Sequence, residues 1–297
     1  TPIPPHSPPG MALPPRPLVA VAQVTSTPDK EHNWAQCSAL VKEAAARGAR
    51  LVFLPEGFDF IGTGREQSLG LAEPLHGPTV GRYRQLARDC DVWLSLGGFH
   101  ERGSDWDTTG RIYNCHIVLD SSGDVVATYR KTHLYDAEVP GGVSMRESSF
   151  TNPGPALVPP VDTPVGKLGL AVCYDLRFPE LALALRGAGA QILAYPSAFT
   201  VPTGAAHWEV LLRARAIECQ AYVVAAAQTG RHHERRVSFG HSLVADPWGT
   251  VVAQCQEGTG LCFANIDLEF LERVRRDIPV QEHRRRDLYG CPGAPAP

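Results

Sequence analysis

The feature that most constrains this chain is that it reads as one pattern used twice. A β-branched run at 18–24, LVAVAQV, is followed by a helical stretch from about 30 to 47. There Cys37, Leu40, Val41, Ala44 and Ala45 recur at helical spacing, and Gly48 supplies a stop. Next come a strand at 50–58 broken by Pro55, a helix at 80–90 and a strand at 92–99. A hairpin at 112–120 and 125–131 turns through SSGD. The second half repeats this order. KLGLAVCYD (167–175) reads as a strand, and FPELALALRGAG (178–189) as a helix with Pro179 in its first turn. AQILAYPSAF answers ARLVFLPEGF, with Pro196 in the place of Pro55. A long helix at 207–220 and a strand at 222–228 follow. HSLVADPWGTVVAQC then answers CHIVLDSSGDVVATY, Asp246 matching Asp120 and Gly249 matching Gly123. Two half-sheets of mixed strands, each with helices on one face, would each leave an apolar face bare. Stacking those faces predicts an α/β fold in the form of a four-layer αββα sandwich, internally duplicated, with a doubly wound three-layer fold as the alternative.

A chain of 297 residues is long enough to bury roughly 75% of the surface its unfolded form exposes, so it needs no covalent staples. The formal charge of −3 gives no reason to expect a nucleic-acid partner. No apolar run approaches the ~20 residues of a membrane span. The eight cysteines are scattered without a C-x-x-C pair, and several sit in apolar runs, which suits free thiols in a reducing compartment. Residues 1–17 are proline-rich and read as a disordered leader. They carry no acidic residue and Arg16 alone among arginines, a weak fit to a transit peptide, and Met11 is an alternative start. Residues 18–290 read as the folded domain, and 291–297 as a disordered tail.

Three polar residues stand where apolar strands end: Glu56 after LVFLP, Lys131 after VVATYR and Cys173 after LGLAV. Reactive groups at strand ends are both fixed and reachable. A lone cysteine in an apolar strand is ordinarily inert core. Here a helix start follows it, with Asp175 as a candidate cap, and amides at a helix N-terminus favour a thiolate and an oxyanion. Glu56 and Lys131 taken singly would pass for solvated surface residues. The stretch from 131, KTHLYDAEVPGG, is a long aperiodic segment suited to a site wall. Glu147, in MRESSF, has the weakest case of its own. The pair His232-His233 reads as a polar turn.

LPE, YRK and CYD, in that order and at that wide spacing, resemble the nitrilase superfamily of carbon–nitrogen hydrolases over about residues 18–290. The resemblance implies the αββα fold and places the family's Glu-Lys-Cys triad on Glu56, Lys131 and Cys173, with a second glutamate on Glu147. CYDLRFPE, HWEVLLRARAIE, GRHHE, DPWGTVVA and HRRRDLYG are similar to one branch of that family. Its members cleave the amide of oxidatively deaminated glutathione to 2-oxoglutarate and cysteinylglycine. The resemblance implies a small-molecule amide substrate, a cysteine thioester intermediate, no metal or other cofactor, and a homodimer or higher homo-oligomer. The free thiols and the leader together lead us to expect a cytoplasmic protein, with a mitochondrial share as the further option. Sister activities such as an ω-amidase share the triad and differ in pocket walls.

Two rivals lie outside that reading: a Cys-His hydrolase using His133 or His241, and a non-catalytic interaction protein. For substrate binding the candidates are Arg177, four residues after Cys173 and about one helical turn of 5.4 Å on, Tyr174, and Phe199 and His207 from the expected loop FTVPTGAAHW. The helix at 207–220, apolar on more than one face, and the segment 277–290 are expected at a subunit interface.

Overall fold

The computed structural model describes residues 16–138 and 145–290. Its first repeat runs β1 (Leu18–Val24), α1 (Lys30–Ala46), β2 (Ala49–Leu54), α2 (Arg65–Leu71), α3 (Pro78–Cys90), β3 (Trp93–Glu101), α4 (Trp106–Thr109), β4 (Tyr113–Leu119) and β5 (Val125–Arg130). A two-residue pair, β6 (Asp136–Ala137) and β7 (Met145–Arg146), leads to the second repeat. That repeat runs β8 (Val161–Thr163), β9 (Gly166–Leu170), α5 (Pro179–Gly187), β10 (Ile192–Ala194), α6 (Val201–Cys219), β11 (Tyr222–Ala225), a hairpin of β12 (Ala227–His233) and β13 (Arg236–Phe239), then β14 (Leu243–Ala245) and β15 (Val251–Gln254). The chain closes with β16 (Gly260–Asn265), α7 (Leu268–Asp277), α8 (Val280–His283) and α9 (Arg286–Tyr289).

The duplication is present in the hydrogen-bonded topology. In one sheet β1, β2 and β3 are parallel neighbours, and β4 and β5 follow antiparallel. In the other, β9, β10 and β11 are parallel, and β14 and β15 follow antiparallel. The matched turns close alike. Asp120 Oδ1 accepts from the amides of Ser122 and Asp124, and Asp246 Oδ1 from those of Trp248 and Thr250. Gly123 and Gly249 follow at φ 76° and 87°, a conformation that costs glycine nothing. One departure matters for the site. The strand expected at 222–228 is two strands: β11 belongs to the second sheet, whereas β12 crosses over and pairs with β1 in the first.

Side chains of the parallel strands alternate between two cores. Val19, Val21, Leu51 and Phe53 meet Leu168, Leu170, Ile192 and Val224 between the sheets. Ala20, Ala22, Val52 and Leu54 turn the other way, onto Val41 and Ala44 of α1 and Leu86 of α3. Leu193 and Val223 likewise turn outward onto Leu212 and Ala216 of α6. Both faces of these strands are buried, which is why they read as continuous apolar runs. Three stacked cores make four layers, as the sequence predicts. Among the described residues no helix is long and apolar enough to cross a membrane. Arg16 pairs with Asp267 at 2.7 Å, and the Ile266 N–H donates to the Pro17 carbonyl. The leader expected over 1–17 therefore joins the fold at its last two residues; the rest of it, and the tail, lie outside the described residues.

A histidine bridges the sheets. His116 of β4 holds Ser95 Oγ at 2.7 Å through Nε2 and donates from Nδ1 to the Ala171 carbonyl at 3.0 Å. Burial lowers its pKa from 6.5 to about 4, and burial lowers that of His232 likewise to about 4. Between those values the unfolded chain binds protons that the folded chain refuses, so stability is full above about pH 6.5 and falls as the pH drops toward 4. The slope is about 1.4 kcal/mol per pH unit for each ring. Urea unfolding at pH 7, 6 and 5 should show it, and His116→Gln should remove one ring's share. An unfolding free energy that stays flat over this range would refute the assignment.

Candidate active site

Each candidate side chain stands just past a strand end and is aimed by a neighbour. Beyond β2, Pro55 ends the ladder and Glu56 follows. The Gly57 N–H donates to the Gly98 carbonyl at 3.0 Å, and Gln228 Nε2 donates to the Glu56 carbonyl at 3.0 Å. Two glycines of β3 make room for this. A Cβ on Gly97 would overlap the Pro196 ring, and one on Gly98, at φ 65°, would run into Glu56. The matched prolines of the two repeats thus bring the loops after β2 and β10 together over β3.

Lys131 follows β5, and its N–H donates to the Asn114 carbonyl at 2.8 Å. Its ammonium, with only 2% of the side chain exposed, lies 2.8 Å from Glu147 Oε2 and 3.3 Å from Glu56 Oε1. Asn114 Nδ2 donates to both carboxylates, at 2.8 Å to Glu56 and 3.2 Å to Glu147. Glu147, at the start of a short 3₁₀ turn, also accepts from the Tyr135 N–H at 2.7 Å.

The second sheet supplies Cys173. Strand β9 stops at Leu170, short of the 175 expected from sequence, because the chain turns sharply into a 3₁₀ turn over Cys173–Arg177. Cys173 itself has φ 46°, a left-handed conformation that a side chain with a Cβ seldom adopts, and its N–H donates to the Pro196 carbonyl at 2.9 Å. Asp175 holds the turn rather than capping α5 as the sequence suggests. Its buried carboxylate accepts from the Val172 N–H at 2.9 Å, the Tyr129 hydroxyl at 2.8 Å, and the N–H and Nδ1 of His133 at 3.1 and 2.7 Å. It thereby ties the end of β5, and so Lys131, to the turn that carries Cys173.

The electrostatics separate the roles these groups can take. Burial alone would raise the Glu56 carboxyl, but the Lys131 ammonium, the Cys173 thiol and Asn114 outweigh it and hold the carboxyl below its ordinary value. Burial would lower Lys131, yet Glu147 and then Glu56 hold it well above the usual lysine range. Burial first, and the Glu56 charge second, push the Cys173 thiol up. At neutral pH the site therefore holds a protonated thiol beside an ionised carboxylate and an ammonium. Such a set can move a proton from sulfur as the sulfur attacks.

Glu56, Asn114, Lys131, Glu147 and Cys173 open on a cavity of about 860 Å³, a size suited to a small molecule. Tyr174, Arg177 and Phe199 line it as well. The Arg177 guanidinium lies over the Phe199 ring, 5.4 Å from its centroid, and Arg177 Nη1 is 3.2 Å from His207 Nδ1. His207 is exposed and does not line the cavity. The loop expected around it is already helix, because α6 begins at Val201 with Pro202 in its first turn. His207 touches the cavity only through Arg177.

The histidines of the rival reading face elsewhere. His133 bonds Asp175 and stacks on Phe178, and His241 bonds the Phe239 carbonyl; neither lines the cavity. His232 is no polar turn but is buried in β12, bonded to the Ser26 carbonyl and Ser238 Oγ at 2.7 Å each. Asn114, Tyr135, Asp175 and Arg236 form part of the site or its support, and sequence reasoning passed over them in that capacity. The one available signal was Asn114, a polar residue inside an apolar hairpin strand.

The sequence profile described as carbon-nitrogen hydrolase matches residues 18–276. The chain belongs to the carbon-nitrogen hydrolase family. It is 66% identical over 279 residues to the deaminated glutathione amidase of Homo sapiens, covering 94% of this chain and 85% of that one. The crystal structure of the Caenorhabditis elegans NitFhit protein is similar with a TM-score of 0.87 and 50% identity. That match covers 93% of this chain, and this chain spans 66% of the longer worm protein. A mutant of an amidase from Nesterenkonia sp. AN1, solved with acrylamide added at its active site cysteine, has a TM-score of 0.75 and 26% identity, covering 92% of this chain and 98% of that one. This carbon-nitrogen hydrolase acts on carbon–nitrogen bonds other than peptide bonds, and it is an amidase.

Proposed function

We propose that this amidase hydrolyses the 2-oxoglutaryl amide bond of deaminated glutathione, giving 2-oxoglutarate and cysteinylglycine, through a thioester on Cys173. The observation that carries the reading, beside the 66% identity to an amidase of that name, is Arg177. Its guanidinium faces the cavity one turn beyond Cys173 and has no carboxylate partner among the described residues; it touches only the His207 ring and aromatic faces. A planar carboxylate a few bonds from the attacked carbon, as a 2-oxo acid carries, suits it.

In this mechanism Glu56 takes the thiol proton as Cys173 sulfur bonds to the amide carbon. Negative charge then gathers on the carbonyl oxygen. Lys131 and the Tyr174 N–H meet it; the first amides of a helical turn have no intrahelical partner. Glu147 and Asn114 keep the ammonium and Glu56 in place. The tetrahedral carbon collapses, the C–N bond breaks, and Glu56 returns its proton to the leaving amine. Glu56 next takes a proton from water, whose oxygen adds to the thioester carbon. The C–S bond breaks, and the proton goes back to sulfur. One water is consumed, and an acid and an amine are released.

A substrate panel tests this, with 2-oxoglutarate and ammonia measured separately. Deaminated glutathione should be turned over with a higher kcat/KM than 2-oxoglutaramate, and Arg177→Lys should raise KM for both by about tenfold or more. Preference for the smaller amide would make the chain an ω-amidase instead.

The proposal includes a homodimer. On α6 Val210 and Ile217 stand 67% and 52% exposed, and Trp248, on the turn that packs against Ile217, 58%. The C-terminal segment lies alongside, through Arg284 to the Glu218 carbonyl and Gln220 to the Ile278 carbonyl. A monomer by light scattering at micromolar concentration would remove this part. A cytoplasmic location with a mitochondrial share also belongs to the proposal, supported by buried free thiols and open to test by cell fractionation.

A further inference from the structure

In a chain whose formal charge is −3 the cavity is cationic. Arg65, Arg146, Arg177, Arg235 and Arg236 line it, and the two carboxylates that line it, Glu56 and Glu147, are both engaged by Lys131. Arg236 is the most telling of the five. It opens β13, it is half-buried, and among the described residues its one side-chain hydrogen bond goes to Met145 Sδ at 3.5 Å. A guanidinium withdrawn from water without a carboxylate is costly unless a ligand supplies one. Tyr135 lies within reach of the charges of both Arg177 and Arg236. Its hydroxyl is buried, lines the same cavity and has no hydrogen-bond partner among the described residues, although both guanidinium charges act on it.

The two arginines stand on different elements. Arg177 belongs to the turn that starts at Cys173 and comes from the second sheet. Arg236 comes from the hairpin that the β11-to-β12 crossover carries to the first sheet, the sheet of Glu56, and its charge is felt at Glu56. In the proposed mechanism Glu56 hands a proton to the leaving amine, so that amine and its substituent point toward Glu56 and the hairpin. The acyl half points toward Arg177.

We propose that Arg236, with Arg235 beside it on the same hairpin, is a second anion subsite that binds a carboxylate on the leaving amine. The preferred substrates are then amides with an anionic group on each side of the scissile bond. This rests on the function proposed above and extends it. It explains why the cavity carries more arginine without a carboxylate partner among the described residues than one 2-oxo acid needs.

The experiment compares 2-oxoglutaryl-cysteinylglycine with the same molecule carrying a C-terminal carboxamide. The wild-type enzyme should favour the carboxylate by about 10–100-fold in kcat/KM, the usual range for a charge-assisted pair. Arg236→Met should bring the ratio close to one, and Arg236→Lys should keep part of it. A wild-type ratio near one overturns the subsite while leaving the amidase reading intact. So does an Arg236→Met variant that slows both substrates equally, which would mean that the arginine only tunes Glu56. Failure of the wild-type enzyme to cleave either molecule would overturn the underlying function and the subsite with it. Inhibition by cysteinylglycine and by its amide gives the same ratio without turnover.

Discussion

Cys173→Ala should lower turnover by on the order of 10⁶-fold, because a covalent route has no partial substitute once its nucleophile is gone. The variant should fold. Cys173 is half-buried, and alanine keeps the Cβ that its left-handed backbone already tolerates. The other six described cysteines do not line the cavity. Burial pushes Cys37 and Cys219 up to about 12 and Cys115 well above the ordinary value, so those thiols are inert at neutral pH. A haloacetamide, itself a small amide, should therefore label Cys173 first. Glu56→Gln should slow that labelling, since the Cys173 thiol is held protonated and depends on the carboxylate to ionise as it attacks. Near-normal activity of Cys173→Ala, or first labelling at half-buried Cys90, would sink the thioester.

Lys131→Met should reduce kcat by about 10²–10³, the usual value of one donor aimed at a developing oxyanion, with a smaller effect on KM. A second effect follows from where the lysine sits. Its ammonium is nearly wholly buried between Glu56 and Glu147. Methionine leaves the two carboxylates facing each other across Asn114, and one of them takes up a proton. In the wild-type site Lys131 holds Glu56 below its ordinary value, so the base is ionised and active down to acid pH. In the variant Glu56 rises, and activity should fail at a higher pH on the acid side. Stability should also drop by about 3–5 kcal/mol, the cost of breaking a buried pair by removing one partner. A pH–rate profile and a denaturation curve read these separately. A change confined to KM, with the acid limb unmoved, would make Lys131 a binding residue.

Much was legible in the residues because it is local or periodic. The apolar runs and the helix with Pro179 in its first turn were read from pattern. So was the Asp-x-x-Gly match at Asp120 and Asp246, and with it the duplication. The order of β1, β2, β3, β4 and β5 against β9, β10, β11, β14 and β15 bears that reading out. Glu56, Lys131 and Cys173 stood out because each ends an apolar run. Such ends have no ladder partner to hide a polar side chain.

What the linear chain could not display is any relation between groups distant along it. Asn114 looks like one polar residue in a strand until β4 sets its amide between Glu56 and Glu147. Asp175 looks like a helix cap until Tyr129 and His133, brought over by the stacking of two sheets, take its oxygens. Arg236 looks like surface charge until β12 leaves the second sheet for the first and swings the hairpin over the cavity. By itself the sequence determined most of the elements, their duplication and which three polar side chains end apolar runs, since burial periodicity and turn geometry act over a few residues. Only the tertiary structure decided their charge states and the shape of the cavity, because desolvation and ion pairing depend on which atoms lie within a few ångströms, whatever their separation in the chain.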